Sequence, residues 1–170
     1  MVEIVTESMA ALARWHGAIL RFGPQWTPAQ ARPLYEGHLR LGTRASVAFE
    51  GDHVVGTSLY FPAQVDPWIV ERADQSPEPL AGCILRTHIY VAEAAQGQGL
   101  SRQLTTATVT DALAQGYSHV LALGYQTEEI FTWARQIHAG LPSRRDLPFV
   151  DRNGRPTWIT ALVDLLAGET

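Results

Sequence analysis

Apolar positions recur along this chain with two periods, about 3.6 residues and two, and glycine or proline stands at most of the changes between them. Val2-Glu3-Ile4-Val5 reads as a short first strand. From Thr6 or Ser8 onward Leu12, Trp15, Ile19 and Phe22 fall on one helical face, until Gly23-Pro24 ends the pattern. Thr27-Pro28-Ala29-Gln30 has the form of a capping box and predicts a second helix ending at Gly42. Pro33 conflicts with an unbroken helix there: either the helix kinks, or its regular part starts at Pro33 with Leu34, Tyr35, His38 and Leu41 as its face. Residues 45–50 and 53–61 alternate around Gly51-Asp52, a β-hairpin.

Residues 62–81 hold four of the ten prolines and predict a long irregular insertion. An apolar run, Cys83 to Val91, then predicts a strand, followed by a glycine turn and a helix from Leu100 to about Gln115. Val120 to Tyr125 is continuously apolar, as a buried parallel strand would be. Thr127 caps a further helix, with Ile130, Ala134, Ile137 and Leu141 as its expected core face. An Asn153-Gly154 turn between two apolar segments, 149–150 and 156–163, closes the chain as a second hairpin. This order of elements predicts an α/β fold, a central mixed sheet with helices on both faces.

Composition narrows the picture. A length of 170 residues, 46% hydrophobic and 18% charged, fits a single globular domain spanning 1–170. No apolar run has the ~18 residues of a membrane span, and Met1-Val2-Glu3 opens no basic leader, so a cytoplasmic protein is expected. A net charge of −4 without a basic stripe argues against nucleic acid as partner. Cys83 has no second cysteine to pair with and lies in an apolar strand, which suits a buried thiol. The six histidines show no metal-ligand spacing, so no metal site is expected, and no G-x-S-x-G hydrolase motif occurs.

The most informative stretch is Val91-Ala92-Glu93-Ala94-Ala95-Gln96-Gly97-Gln98-Gly99-Leu100-Ser101-Arg102, a strand end, a glycine turn and a helix start. Glycines on either side of Gln98 let backbone approach a ligand, and the unbonded amides of a first helical turn favour an anion. Arg102 stands where a dinucleotide fingerprint needs its third glycine, and no Gly-Lys-Ser/Thr follows, so neither nucleotide motif fits. Val91, Gln96 and Gly99, with Ser101 two further on, resemble the V-x-x-x-x-[Q/R]-x-x-G-x-[G/A] signature of the GNAT acyltransferases. Ser101 departs from the usual Gly or Ala but is still small.

The resemblance implies acetyl-CoA as acyl donor, its pyrophosphate on Gln96, Gly97, Gln98, Gly99, Leu100, Ser101 and Arg102. Its pantetheine arm would pair with the strand edge at Ile89, Tyr90 and Val91, with Thr127 at the following helix start completing the set. Acceptors would be amines of small molecules or peptides, and the family admits a homodimer. Trp26 and Tyr35, with Phe22, are candidates to line the acceptor site, as is Trp68 in the insertion. Asp66, Glu71, Asp74 and Glu78 in that insertion would favour a cationic acceptor.

Amine acylation also needs a base and a proton for the departing thiolate. His88 has the best-suited side chain on the central strand, although strict alternation would set it on the face opposite Thr87, Ile89 and Val91. The tyrosine that family members carry seven residues after the helix cap would fall at Ala134, leaving Tyr125 or His138 as substitutes. Two functions from different classes therefore stay open: an acyl-CoA-dependent N-acyltransferase, and a module of the same fold that binds acyl-CoA without turnover.

Overall fold

The computed structural model describes residues 1–22, 26–124 and 127–168, the side chain of His88 excepted. In chain order the elements are β1 (Val2–Ser8), α1 (His16–Leu20), α2 (Ala31–Leu41), β2 (Arg44–Glu50) and β3 (His53–Pro62), then a short α3 (Pro67–Val70) among 3₁₀ turns. They continue with β4 (Cys83–Val91), α4 (Leu100–Ala114), β5 (His119–Ala122), α5 (Glu128–Ala139), β6 (Arg145–Val150), β7 (Pro156–Ala161) and α6 (Leu162–Gly168). The chain forms two compact units, one of Met1–Phe61 with Arg86–Asp111, the other of Pro62–Leu85 with Ala112–Thr170, so β4 begins in the second and ends in the first.

In the first unit the strands run in the order β1-β2-β3-β4. β1 and β2 pair antiparallel along their whole length, Val2 opposite Glu50 through Ser8 opposite Arg44. The helix expected from Thr6 or Ser8 is therefore much shorter. Thr6, Glu7 and Ser8 belong to β1, where β2 satisfies their backbone groups, and regular helix is confined to His16–Leu20. The periodicity still names the right contacts: Leu12 and Ile19 are buried beside Ala45, Val47 and Leu59, with Trp15 and Phe22 packed against them.

Pro33 is accommodated because α2 starts at Ala31, which leaves proline in the first turn, where no intrahelical donor is needed. Thr27 accepts from the Gln30 amide at 3.3 Å and closes a turn ahead of the helix rather than beginning it. Gly42, at φ 67°, ends α2 in the left-handed region. Ala45 and Val47 of β2 face α1 and α2, whereas Ala48 packs with Leu100 and Leu104 of α4, so this unit carries helices on both faces of its strands.

A partly buried ionic group ties α4 to the strands. Asp111 receives Arg44 Nε at 2.6 Å, Arg44 Nη2 at 2.8 Å and the Tyr60 hydroxyl at 2.7 Å. Burial, then the hydrogen bond to Asp111, holds the Tyr60 hydroxyl protonated well above its ordinary range.

The second unit has strand order β4-β5-β7-β6. Cys83, Ile84 and Leu85 pair in parallel with His119, Val120 and Leu121, and β7 runs antiparallel to both β5 and β6. The core face of α5 differs from the expected one. Phe131, Ala134 and His138 are buried, while Ile130 and Ile137 are 48% and 39% exposed. The helix is turned by about one residue, because Phe131 and His138 pack around the buried Trp158, at ring-centroid distances of 5.9 and 5.7 Å. Residues 162–168, read in part as strand, form α6 instead. Parallel and antiparallel pairs with flanking helices make this a mixed α/β fold. Among the described residues no helix is long and apolar enough to cross a membrane.

Candidate functional site

The glycine turn is built by contacts within the first unit. The Ala92 amide donates to the Val55 carbonyl at 2.8 Å, fixing the end of β4 against β3. A 3₁₀ turn, Glu93–Ala95, follows, and Gln96 Nε2 reaches back to the Val91 carbonyl at 3.2 Å. Gln96 thus braces the loop on the strand it has just left. Gly97 and Gly99 then take φ values of 75° and 73°, which only glycine adopts at little cost.

A Cβ added at either glycine would meet no atom within 4 Å, so the backbone there borders open space. α4 begins at Leu100, and the Gln103 amide bonds to the Gly99 carbonyl at 3.1 Å. Amides earlier in that first turn have no intrahelical acceptor, and they carry the positive end of a 15-residue helix. Leu100 is buried with Ala95 and Leu104, which seats the helix start firmly in the core.

Strand β4 does not alternate strictly through the first unit. Arg86 donates to Ser58 Oγ and Thr105 Oγ1, which places it toward α4, and Val91 packs against the α4 cluster as well. Tyr90 instead stacks on Phe22, which follows α1, with centroids 3.7 Å apart and planes 14° from parallel. Arg86 and Val91 lie five positions apart and yet share a face, so the period slips by one between Arg86 and Tyr90. The face assignment for His88 drawn from alternation consequently does not carry across this strand. His88 lies on β4, and its side chain is outside the described residues. Tyr125 is also outside them.

The remaining candidates divide between the units. Trp26 and Tyr35 pack against the α1–α2 core of the first unit along with Phe22, and the Tyr35 hydroxyl donates to the Met9 carbonyl at 3.3 Å. Trp26 Nε1 is buried without a hydrogen-bond partner among the described residues. Ile89, at the end of β4, is exposed. In the second unit Thr127 is the N-cap of α5, accepting from the Ile130 amide at 3.2 Å. Ala134 is in the core, and His138, a substitute proton donor in the sequence reading, is buried and hydrogen-bonded to Thr160 Oγ1 at 3.0 Å. Trp68 lines an open surface depression with Arg72 and residues of β6.

The acids of the insertion are largely engaged within their own unit. Asp66 caps α3 by accepting from the Trp68 and Ile69 amides and lies 3.9 Å from Arg152. Glu78 pairs with Arg145 at 2.6 Å and lies 3.7 Å from His119, and Glu71 touches Arg72 at 3.4 Å. The uncompensated acidic surface expected from composition is thus absent among the described residues, Asp74 apart. One buried acid was missed: Asp151 accepts from the Gly124, Asn153 and Arg155 amides at 2.8 to 3.0 Å and shapes the β6–β7 turn. The Asp-x-Asn-Gly spacing of an Asx turn was its available signal. Cys83 is buried, and burial, then the Glu78 charge, pushes its thiol up to about 11. Among the described residues no three His, Cys, Asp or Glu side chains cluster as a metal site.

The fold is mixed α/β, with a left-handed glycine turn and a helix start behind its central strand. A sequence model of the Acetyltransferase (GNAT) family matches residues 9–135, and the chain belongs to that family. Solved structures share the fold at low identity. YncA from Salmonella typhimurium, solved with its cofactor acetyl-CoA, is 18% identical with a TM-score of 0.55, covering 95% of this chain and 94% of its own. The GNAT family N-acetyltransferase YhbS from Escherichia coli, in complex with CoA, is 20% identical with a TM-score of 0.53, covering 99% and 87%. MesI, a CoA-dependent acyl-homoserine lactone synthase, is 11% identical with a TM-score of 0.63, covering 98% and 93%. No curated protein matches the chain.

Proposed function

We propose that this protein is an acyl-CoA-dependent N-acyltransferase that uses acetyl-CoA to acylate an amine of a small molecule or peptide. The observation that carries this reading is the turn itself: two left-handed glycines, open space where their side chains would stand, and the first turn of α4 directly after them. Family membership and the CoA-bound relatives support the same ligand. The pyrophosphate would lie on the amides of about Gln98 to Arg102, with Gln96 holding the loop in place. Ile89, Tyr90 and Val91 would offer the strand edge to the pantetheine arm, and Thr127 the start of α5.

In the reaction the amine nitrogen bonds to the acyl carbon as the C–S bond breaks, and CoA leaves as a thiolate. Strand amides of β4 near its slip would meet the developing oxyanion, since an irregular strand leaves main-chain donors unpaired. His88 would take the amine proton, and Tyr125 is the candidate to return one to the thiolate. A thiol whose ordinary pKa is about 8.5 needs no dedicated donor near neutral pH to leave.

Thiol release measured with acetyl-CoA over a panel of amines tests the proposal. Turnover with at least one amine is expected, falling toward low pH as an imidazole of ordinary pKa near 6.5 is protonated. Tight acetyl-CoA binding with no thiol released from any amine would instead identify a non-catalytic acyl-CoA-binding module. No acetyl-CoA binding at all would remove the reading.

A further inference from the structure

The second unit holds an open surface depression of about 640 Å³. Trp68 and Arg72 of the insertion and the run Leu147–Val150 of β6 line it. The depression has a local cause. The β6–β7 register slips between Asp146 and Val150, Pro148 has no amide for the ladder, and the Phe149 carbonyl is held by the Thr157 hydroxyl at 2.6 Å.

Arg72 is the unusual member of this apolar wall. Its guanidinium lies 3.4 Å from the centroid of the Trp68 ring, and Nη1 donates to the Trp68 carbonyl at 2.9 Å, so the group is fixed against the indole. The side chain is 22% exposed, while Glu71, its ionic neighbour, is 71% exposed and touches the same Nη1 at 3.4 Å. Arg72 Nε and Nη2 make no hydrogen bond among the described residues. Arg152 lies 5.4 Å from the same indole, with Asp66 3.9 Å from its Nη2.

The occupant follows from these facts. A cation would meet the Arg72 guanidinium, and a neutral apolar molecule would cover Arg72 donors without replacing their water, which is costly. An anion with an apolar body satisfies both halves of the pocket. A carboxylate matches the planar guanidinium edge through two parallel bonds.

We infer that the Trp68–Arg72 pocket binds a small apolar carboxylate through Arg72.

The test compares N-acetyl-phenylalanine, a small apolar carboxylate, with N-acetyl-phenylalaninamide, titrated into the wild-type protein by calorimetry and tryptophan fluorescence. The acid should bind about tenfold or more tightly than the amide, the scale of a charge-assisted pair. Arg72→Gln should abolish the difference, and Arg72→Lys should retain part of it. Acetyl-CoA affinity should be unchanged in both variants. Equal binding of acid and amide, or a preference that survives in Arg72→Gln, overturns the inference. Displacement of the acid by inorganic phosphate at equal concentration overturns it too, because that would show a site for charge alone. The wild-type pair decides the matter even if a variant fails to fold. Acetyl-CoA is titrated separately, so loss of the acyltransferase reading would be visible apart from the outcome at Arg72.

Discussion

Gly99→Ala separates the cost of the glycine turn to folding from its service to a ligand. At φ 73° any L-residue is strained, by roughly 1–2 kcal/mol. No atom lies within 4 Å of the added Cβ, so no clash adds to that figure in the free protein. For a chain of this size about 1 kcal/mol corresponds to a fall of roughly 2–4 °C in Tm, so the variant should melt only a few degrees low. Gly97→Ala has the same strain, at φ 75°, and the same empty surroundings, which makes it a matched control for stability.

The two should part company when acetyl-CoA is titrated by calorimetry. A methyl group at Gly99 stands directly before Leu100, where the proposed pyrophosphate must touch backbone, and affinity should fall at least about tenfold, equivalent to about 1.4 kcal/mol. Gly97→Ala should lose less. Stabilisation by saturating acetyl-CoA in thermal melts should shrink in the same order. If Gly99→Ala shows the expected loss of Tm and binds acetyl-CoA as the wild type does, the space beside Gly99 is not where the anion sits, and the site assignment fails.

Two further outcomes concern stability and reactivity. Asp111→Ala removes the carboxylate that receives Arg44 and Tyr60, whose ion pair is only 22% and 15% exposed; urea unfolding should show a loss of about 2–4 kcal/mol, and under 1 kcal/mol would mean the group is solvent-screened. The Cys83 thiol, raised by burial to about 11, contributes stability that is whole below the ordinary thiol range and declines as pH climbs toward 11, where the unfolded thiol ionises first. That alkaline decline should be shallower in Cys83→Ala, and a disulfide reagent at pH 8 should label native Cys83 far more slowly than the urea-unfolded chain; equal rates would contradict its burial.

Elements whose signals are local were legible in the chain. The limits of β4, the start of α4 at Leu100, the β2–β3 hairpin around Gly51 and the Thr127 cap all follow from residues within a few positions of one another. What depended on distant partners was not. Thr6–Ser8 have no strand signature of their own and extend β1 because β2 lies beside them. The α5 face could not be chosen between Ile130 and Phe131 without Trp158, which arrives 27 residues after Phe131 and fills the space the helix packs on. Asp111 sits on α4 between Thr110 and Ala112, and nothing near it in the chain marks a partner. Its two partners come from β2 and β3, 67 and 51 residues away. The slip in β4 leaves no mark in composition, and the alternation argument for His88 rested on its absence.

The insertion shows why charge must be counted after pairing. Four acids against one arginine in residues 62–80 suggested a surface for cations. Yet a carboxylate near the start of a helical turn has backbone amides to satisfy first, and Asp66 spends its oxygens on two of them. Glu78 is met by Arg145 of β6, an arginine far away in sequence, and Glu71 stands in solvent where screening weakens it. Arg72, by contrast, is fixed on Trp68 with two donor nitrogens uncommitted among the described residues. Long-range attraction by exposed acids fades with salt, whereas a desolvated guanidinium keeps its preference for a matched anion. The pairing of each charge, and not the net charge of the segment, therefore decides what a ligand would meet there.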